Sequence, residues 1–256
     1  MSLLLLEGVW KKFHGLTAVS DFNLCLESGE LVGLIGPNGA GKTTVFNLIT
    51  GVHKPTAGRI VFSGEDITGL RPDLITRRGI ARTFQNIRLF GSLSVLENVL
   101  VANHLRLRSS PLEAVIRWGQ YKSEEKAMLE YSWSLLEAVG LAHVAGEQAG
   151  SLPYGQQRRL EIARALATRP KLLLLDEPAA GMNPAEAGEL MDFIRQIRKD
   201  FDLTILLIEH HMRVVMGICE RILVLDYGVT IAQGTPAEIQ KNQRVITAYL
   251  GVETSA

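Results

Sequence analysis

Short, nearly unbroken apolar runs alternate along this chain with longer segments of helical period. Leu31–Ile35, Leu172–Leu175 and Thr204–Ile208 are apolar at almost every position. That is the pattern of strands buried on both faces. Leu3–Val9, Phe22–Leu26, Arg59–Phe62, Ile222–Leu225 and Val229–Ala232 also read as strands, with turn signals at Ser28-Gly29 and Ser63-Gly64. A helix is expected from Lys42, and another from Pro184 to about Phe201. In the second, Leu190, Phe193, Ile194 and Ile197 recur at the i, i+3, i+4, i+7 spacing of one buried face. Pro184 suits its first turn, and Asn183 suits the cap before it. Strands alternating with helices predict an α/β fold.

The middle of the chain differs. From Val95 to about Ala167 no convincing strand pattern occurs, and Val95–Leu107, Leu112–Tyr121, Glu124–Val139 and Tyr154–Ala167 all read as helical. A helical block between two strand-bearing halves reads as an inserted subdomain. The segment Pro236–Leu250 reads as two short helices before a polar end. No internal repeat or low-complexity tract is present. The expected organisation is one domain over 1–256: a catalytic core from 1–94 and 168–235, a helical subdomain at 95–167, and a C-terminal helical tail at 236–256.

Composition narrows what such a domain can do. At 256 residues and 46% apolar content, the chain can bury one large core, or a core with a smaller subdomain. Lys+Arg and Asp+Glu both total 27, so no global basic field exists to recruit nucleic acid. No apolar run approaches the roughly 20 residues that span a bilayer. Leu3–Leu6 lacks a basic flank and a cleavage site and runs into Glu7, so it reads as a first strand and not as a signal peptide. Cys25 and Cys219 lie far apart without metal spacing, the pattern of reduced core thiols in a cytosolic protein. The histidines form neither H-E-x-x-H nor H-x-x-E-H, and the tandem His210-His211 lacks companion ligands.

Candidate chemistry begins where Leu31–Ile35 runs into Gly36-Pro37-Asn38-Gly39-Ala40-Gly41-Lys42-Thr43-Thr44. This is G-x-x-x-x-G-K-T in the strand, glycine loop and helix context of a phosphate-binding P-loop. The glycines let backbone N–H groups turn toward a phosphate chain. The helix from Lys42 adds its positive dipole end. Lys42 supplies a point charge for β- and γ-phosphates, and the Thr43 hydroxyl can ligate Mg²⁺. Leu172–Leu175 leads into Asp176-Glu177-Pro178. A buried strand aims Asp176 at the Mg²⁺ shell, while Glu177 lies next to the γ-phosphate and can polarise a water. The chain is therefore expected to bind a nucleoside triphosphate with Mg²⁺.

Further motifs fall in order around these two. Leu152-Pro153-Tyr154-Gly155-Gln156-Gln157-Arg158-Arg159, ahead of a helix through Ile162, Ala163, Arg164 and Ala165, resembles the L-S-G-G-Q signature of the ABC ATPases. Pro153 stands where serine is usual and Tyr154 where glycine is usual. Proline suits a first helical turn, with Ser151 or Leu152 just before it. The resemblance implies a P-loop NTPase core of ABC type, with an antiparallel β subdomain and an inserted helical subdomain. It assigns catalytic roles to Glu177, to Gln85 of Arg82-Thr83-Phe84-Gln85-Asn86, and to His210 as the switch histidine. It assigns Phe13 to adenine stacking and Asn38, Gly39, Gly41, Lys42, Thr43 and Thr44 to the nucleotide. Tyr154, Gly155 and Gln156 would meet ATP held by a partner copy. Thr43, Gln85 and Asp176 would face the metal. Ala180–Asn183 falls at the D-loop, with Asn183 where aspartate is general.

Within that family the chain is most similar to the cytoplasmic ATPases of branched-chain amino-acid importers. The similarity rests on Leu-Pro-Tyr-Gly-Gln-Gln in the signature, Ala-Ala-Gly-Met-Asn-Pro after Pro178, Asn86–Phe90, and Ala248-Tyr249-Leu250-Gly251. The stretch from His104 to Glu124 resembles the longer of the two ATPase subunits such importers carry. These importers pair two ATPases with two membrane permeases and a binding protein. The resemblance thus implies a peripheral subunit at the cytoplasmic membrane face, in a nucleotide sandwich with a second ATPase, itself either a second copy or a related subunit. Ile87, Leu89 and Phe90, with the helical insertion, are candidates for the permease contact. Importers for urea or short amides use similar ATPases, and both solute classes stay open.

Other classes fit less well. Ribosomal ABC factors usually carry two ATPase modules in one chain, and this chain has one. DNA-repair ABC ATPases carry a long heptad coiled coil, whereas this insertion is short and interrupted by Gly119 and Gly140. A neutral charge disfavours a nucleic-acid partner. A non-hydrolysing nucleotide sensor would lack the carboxylate of Glu177.

Overall fold

The structure is a computed structural model that describes residues 2–106 and 120–250. The chain divides into two compact units, Met1–Arg82 with Lys171–Ala256, and Thr83–Pro170. The first unit opens with β1 (Ser2–Phe13), β2 (Leu16–Glu27), β3 (Leu31–Ile35), α1 (Lys42–Ile49), β4 (Ala57–Phe62), β5 (Glu65–Asp66), α2 (Pro72–Arg78) and β6 (Ile80–Arg82). The second unit supplies α3 (Val95–Asn103), α4 (Gln120–Ala138) and α5 (Tyr154–Ala167). The chain returns to the first with β7 (Leu172–Asp176), α6 (Pro184–Asp200), β8 (Thr204–Ile208), α7 (Met212–Ile218), β9 (Arg221–Asp226), β10 (Val229–Gly234), α8 (Pro236–Lys241) and α9 (Gln243–Leu250).

In the first unit, six strands form one sheet in the order β10-β9-β3-β8-β7-β6. Every pairing in it is parallel except β9 with β10. β3, β7 and β8 are buried at every residue, which is why their sequences carry no polar alternation. A second, antiparallel sheet has the order β2-β1-β4-β5. There one face is covered, so β2 buries Val19, Phe22, Leu24 and Leu26 and turns its other residues out. Cys25 falls on that outward face and is exposed, against the expectation of two core thiols; only Cys219 is buried.

Helix α6 follows its sequence pattern. The Asn183 side chain accepts from the amides of Ala185 and Glu186, the Glu186 carboxylate accepts from the Asn183 amide, and Pro184 takes the first turn. Leu190, Phe193, Ile194 and Ile197 are all buried, each contributing about 1.5–3 kcal/mol. In the second unit, no strand occurs among the described residues, only the single bridge of Ser94 with Gln148. α3 ends at Asn103 and gives way to one 3₁₀ turn, His104–Arg106, while α4 begins at Gln120. The helix expected over Leu112–Tyr121 lies largely outside the described residues.

Where pattern and structure part, the cause is pairing or brevity. β1 runs on past Val9 because register shifts let Lys11 pair with Val19 and Phe13 with Leu16. The charges of Lys11 and Lys12 hide that extension from a hydrophobicity pattern. β6 has three residues and gains its identity from pairing with β7. α2 and α7 have seven residues each, too few to establish a helical period. No described helix is long and apolar enough to cross a membrane.

Candidate active site

In an open α/β sheet, ligands bind beyond the carboxyl ends of the strands. Here β3, β7 and β8 deliver Ile35, Asp176 and Ile208 to that edge, and the loops after them carry the candidate residues. The glycine loop is dictated by space as much as by conformation. A Cβ at Gly36 would lie 2.0 Å from the Leu225 carbonyl oxygen, and one at Gly41, with φ +103°, would lie 2.5 Å from that of Ala18. α1 starts at Lys42 with no side-chain cap, so its first amides remain for a ligand. The Lys42 side chain is folded onto its own loop. Its Nζ donates to the carbonyls of Gly36 at 2.8 Å and Pro37 at 2.9 Å. Burial pulls its pKa down, against the opposing pull of Glu177 and Asp176.

Asp176 is buried and held by a residue to which the sequence assigns no role. Arg82, at the end of β6, donates to Asp176 Oδ2 at 2.7 Å and to Asn47 Oδ1 at 2.6 Å. Its guanidinium carbon lies 5.4 Å from the centre of the Phe46 ring. The next residue, Glu177, has φ +48°, a strained value for a side chain with a Cβ. Its amide donates to the Ile208 carbonyl at 2.9 Å, which ties the β7 loop to β8. His210 Nε2 lies 2.8 Å from Glu177 Oε1, joining the two candidate catalytic side chains directly.

Phe13, Asn38, Gly39, Gly41, Lys42, Thr43, Thr44, Glu177 and His210 line one cleft of about 440 Å³, together with Leu16, Thr17, Ala18 and Tyr227. The Phe13 ring is half-buried, with His53 edge-on at 5.1 Å and Lys11 Nζ at 4.7 Å from its centre. Tyr227 escaped the sequence reading. It is 86% exposed on the turn between β9 and β10, and only the hairpin pairing brings it to the cleft. Tyr249 lies on α9, the last described helix. Burial pushes that phenol up to about 12.

Gln85, Tyr154, Gly155 and Gln156 belong to the second unit. Arg158 there is wholly buried and organises the chain around Gln85. Its guanidinium donates to the carbonyls of Phe84 at 2.7 Å and Gln85 at 2.9 Å, to Glu161 at 2.7 Å, and to the Tyr154 hydroxyl at 3.1 Å. Glu161 also accepts the amides of Phe84 and Arg88. Burial holds its carboxyl above the usual range despite the neighbouring Arg158. The Tyr154 that departs from the signature consensus is thus hydrogen-bonded to the arginine that grips Gln85. Pro153 corrects the sequence expectation: it is the N-cap, with ψ 149°, and Tyr154 is the first helical residue. Phe90 is exposed, with the Arg164 guanidinium 4.9 Å from its ring centre.

A lysine and uncapped helix amides at one end of a cleft, with a carboxylate and an imidazole beside them, can bind a phosphate chain and activate a water at its terminus. Thr43 and Asp176 offer the hard oxygen donors that suit Mg²⁺. Among the described residues no group of three His, Cys, Asp or Glu could hold a metal ion.

The profile of the ABC transporter family matches residues 19–180, and that of the branched-chain amino acid ATP-binding cassette transporters matches residues 229–254. The chain is 47% identical to the high-affinity branched-chain amino acid transport ATP-binding protein BraF of Pseudomonas aeruginosa, covering 97% of this chain and 98% of that protein. It is equally similar, over the same shares, to LivG of Escherichia coli, which bears the same description. Its fold matches the ADP conformation of MJ1267, an ATP-binding cassette of an ABC transporter, with a TM-score of 0.86 and 32% identity over 98% of this chain and 100% of that one. Sequence, fold and cleft agree, and the chain belongs to the ATP-binding cassette proteins of the ABC transporter family.

Proposed function

We propose that this chain hydrolyses ATP to drive a membrane importer of branched-chain or related hydrophobic amino acids. The observation that carries the solute class is the 47% identity to BraF over nearly the whole of both chains. The match of the branched-chain profile to residues 229–254, outside the general nucleotide-binding motifs, supports it separately. The permease partners, the second ATPase subunit and the place at the cytoplasmic membrane face belong to the same reading. So does the organisation into a catalytic core (1–94 and 168–235), a helical subdomain (95–167) and a C-terminal tail (236–256).

In this mechanism Lys42 exchanges the carbonyls of Gly36 and Pro37 for β- and γ-phosphate oxygens. Partial desolvation keeps that exchange from being costly, because the amine is already out of water. The first amides of α1, with Thr44, hold the phosphates, and Phe13 carries the adenine. Thr43 and Asp176 would hold Mg²⁺, which would neutralise charge on the phosphates. Glu177 polarises the attacking water, and His210 turns from Glu177 to the γ-phosphate, where its N–H stabilises developing charge. Gln85 keeps the catalytic and metal-facing role its motif assigns. Gly155 and Gln156, at the start of α5, present uncapped helix amides to the nucleotide of a partner subunit.

Deleting the gene in its own cell tests the reading. High-affinity uptake of labelled leucine, isoleucine and valine should be lost and urea uptake kept. The parent gene should restore uptake and the Glu177→Gln form should not. Intact leucine uptake in the deletion strain would refute the solute class; loss of urea uptake instead would favour the amide importers.

A further inference from the structure

Two loops carry the groups assigned above to hydrolysis: the one after β7, with Glu177, and the one after β8, with His210. A third carboxylate, that of Glu209, joins both. It is 1% exposed. Its Oε1 accepts the Ala179 amide at 2.7 Å. Its Oε2 accepts the amides of His210 at 3.0 Å and His211 at 3.2 Å. All three donors are backbone groups, so these bonds fix the path of the chain and engage neither the Glu177 nor the His210 side chain.

That distinguishes them from the other link between the loops, His210 Nε2 to Glu177 Oε1 at 2.8 Å. The side-chain link has to open if both groups are to turn toward a substrate. The Glu209 link can persist throughout the reaction cycle. An ionised carboxylate accepts at both oxygens and donates at neither, which matches three converging N–H groups. A glutamine of the same shape would set its own N–H₂ against one set of donors. A buried carboxylate is a costly way to satisfy amides that water could reach if the loops were open.

We propose that Glu209 is a positioning residue for ATP hydrolysis. Its carboxylate sets the spacing of the Glu177 and His210 loops, so that base and imidazole reach one γ-phosphate together. This rests on the roles given above to Glu177 and His210, and the test separates the two.

Steady-state and single-turnover ATP hydrolysis by the full chain would be measured for the parent, Glu177→Gln, His210→Ala, Glu209→Gln, Glu209→Asp and the double variant His210→Ala/Glu209→Gln. ATP affinity would be read from equilibrium binding. Glu209→Gln should keep ATP affinity within about twofold and lower kcat by about tenfold or more, as one buried donor set loses its acceptor. In the His210→Ala background the same change should cost distinctly less, because there is no imidazole left to position. Glu209→Asp, which keeps the charge but shortens the reach, should fall between. If Glu177→Gln and His210→Ala are strongly impaired but Glu209→Gln turns over like the parent, the positioning role is wrong. Equal losses in both backgrounds would also overturn it, as would failure of both Glu209 variants to fold, which would leave the carboxylate purely structural. Active Glu177→Gln and His210→Ala proteins would remove the underlying assignment itself.

Discussion

Replacing Arg82 with methionine removes the guanidinium that bonds Asp176 and leaves the rest of the strand end intact. The two side chains are 6% and 5% exposed and their atoms approach to 2.7 Å. A second guanidinium nitrogen bonds Asn47 at 2.6 Å. Removing one partner of such a buried pair costs about 3–5 kcal/mol. Methionine refills much of the volume, so little of that loss is a cavity effect. At about 2–4 °C per kcal/mol for a chain of this size, the nucleotide-free protein should melt about 6–20 °C lower. The pair is buried, so the loss should barely change with salt. Adding Asp176→Asn removes the carboxylate charge that has lost its guanidinium, and the double variant should recover about half the loss or more. Urea and thermal unfolding of the four proteins, without nucleotide, complete the cycle. An Arg82→Met protein within about 1 kcal/mol of the parent, or a double variant no more stable than the single one, would refute the argument.

Three further outcomes follow from the cleft and the thiols. Glu177→Gln should bind ATP like the parent and lose about 10²–10⁴-fold in turnover, the range for a positioned general base; turnover near the parent's in a phosphate-release assay would sink that role. Phe13→Ala should weaken ATP and GTP alike by about 1–3 kcal/mol, since a stacked ring reads no base edge; unchanged affinity by titration would make Phe13 a packing residue. At about pH 8 a thiol reagent should find Cys25 quickly and Cys219 only after denaturation, because burial pushes the Cys219 thiol up to about 12 and leaves almost no thiolate; two fast thiols in the folded protein would contradict the burial.

The long elements were legible because their signals are dense. β3 and β8 occupy the residues their apolar runs marked, and α5 spans the expected Tyr154–Ala167. α6 was legible down to its cap, since Asn183, Pro184 and Glu186 act within one turn. The cleft was legible residue by residue wherever a motif is contiguous, as in Gly36–Thr44. What escaped was short or paired at a distance. α2, α7 and β6 carry too few residues for a period to emerge, and the outer halves of β1 and β2 are strands because of each other. Pro153, which proline's preference suits to a first helical turn, proved to be the N-cap, with an extended ψ of 149°.

The sequence by itself determined the family, the phosphate loop and the acidic pair after β7. Each is written in neighbouring residues, whose geometry follows from local sterics: glycines where a Cβ would collide, a lysine at a helix start, carboxylates at the end of a buried strand. Only the tertiary structure decided how those pieces are held. Arg82 meets Asp176 across 94 residues, Arg158 grips the carbonyl of Gln85 across 73, and Glu209 binds the amide of Ala179 across 30. Tyr227 reaches the nucleotide cleft from the β9–β10 turn. No spacing rule announces such pairs. Their distances are set by which strands lie side by side and in what register, a property of the packed sheet and not of any one segment within it.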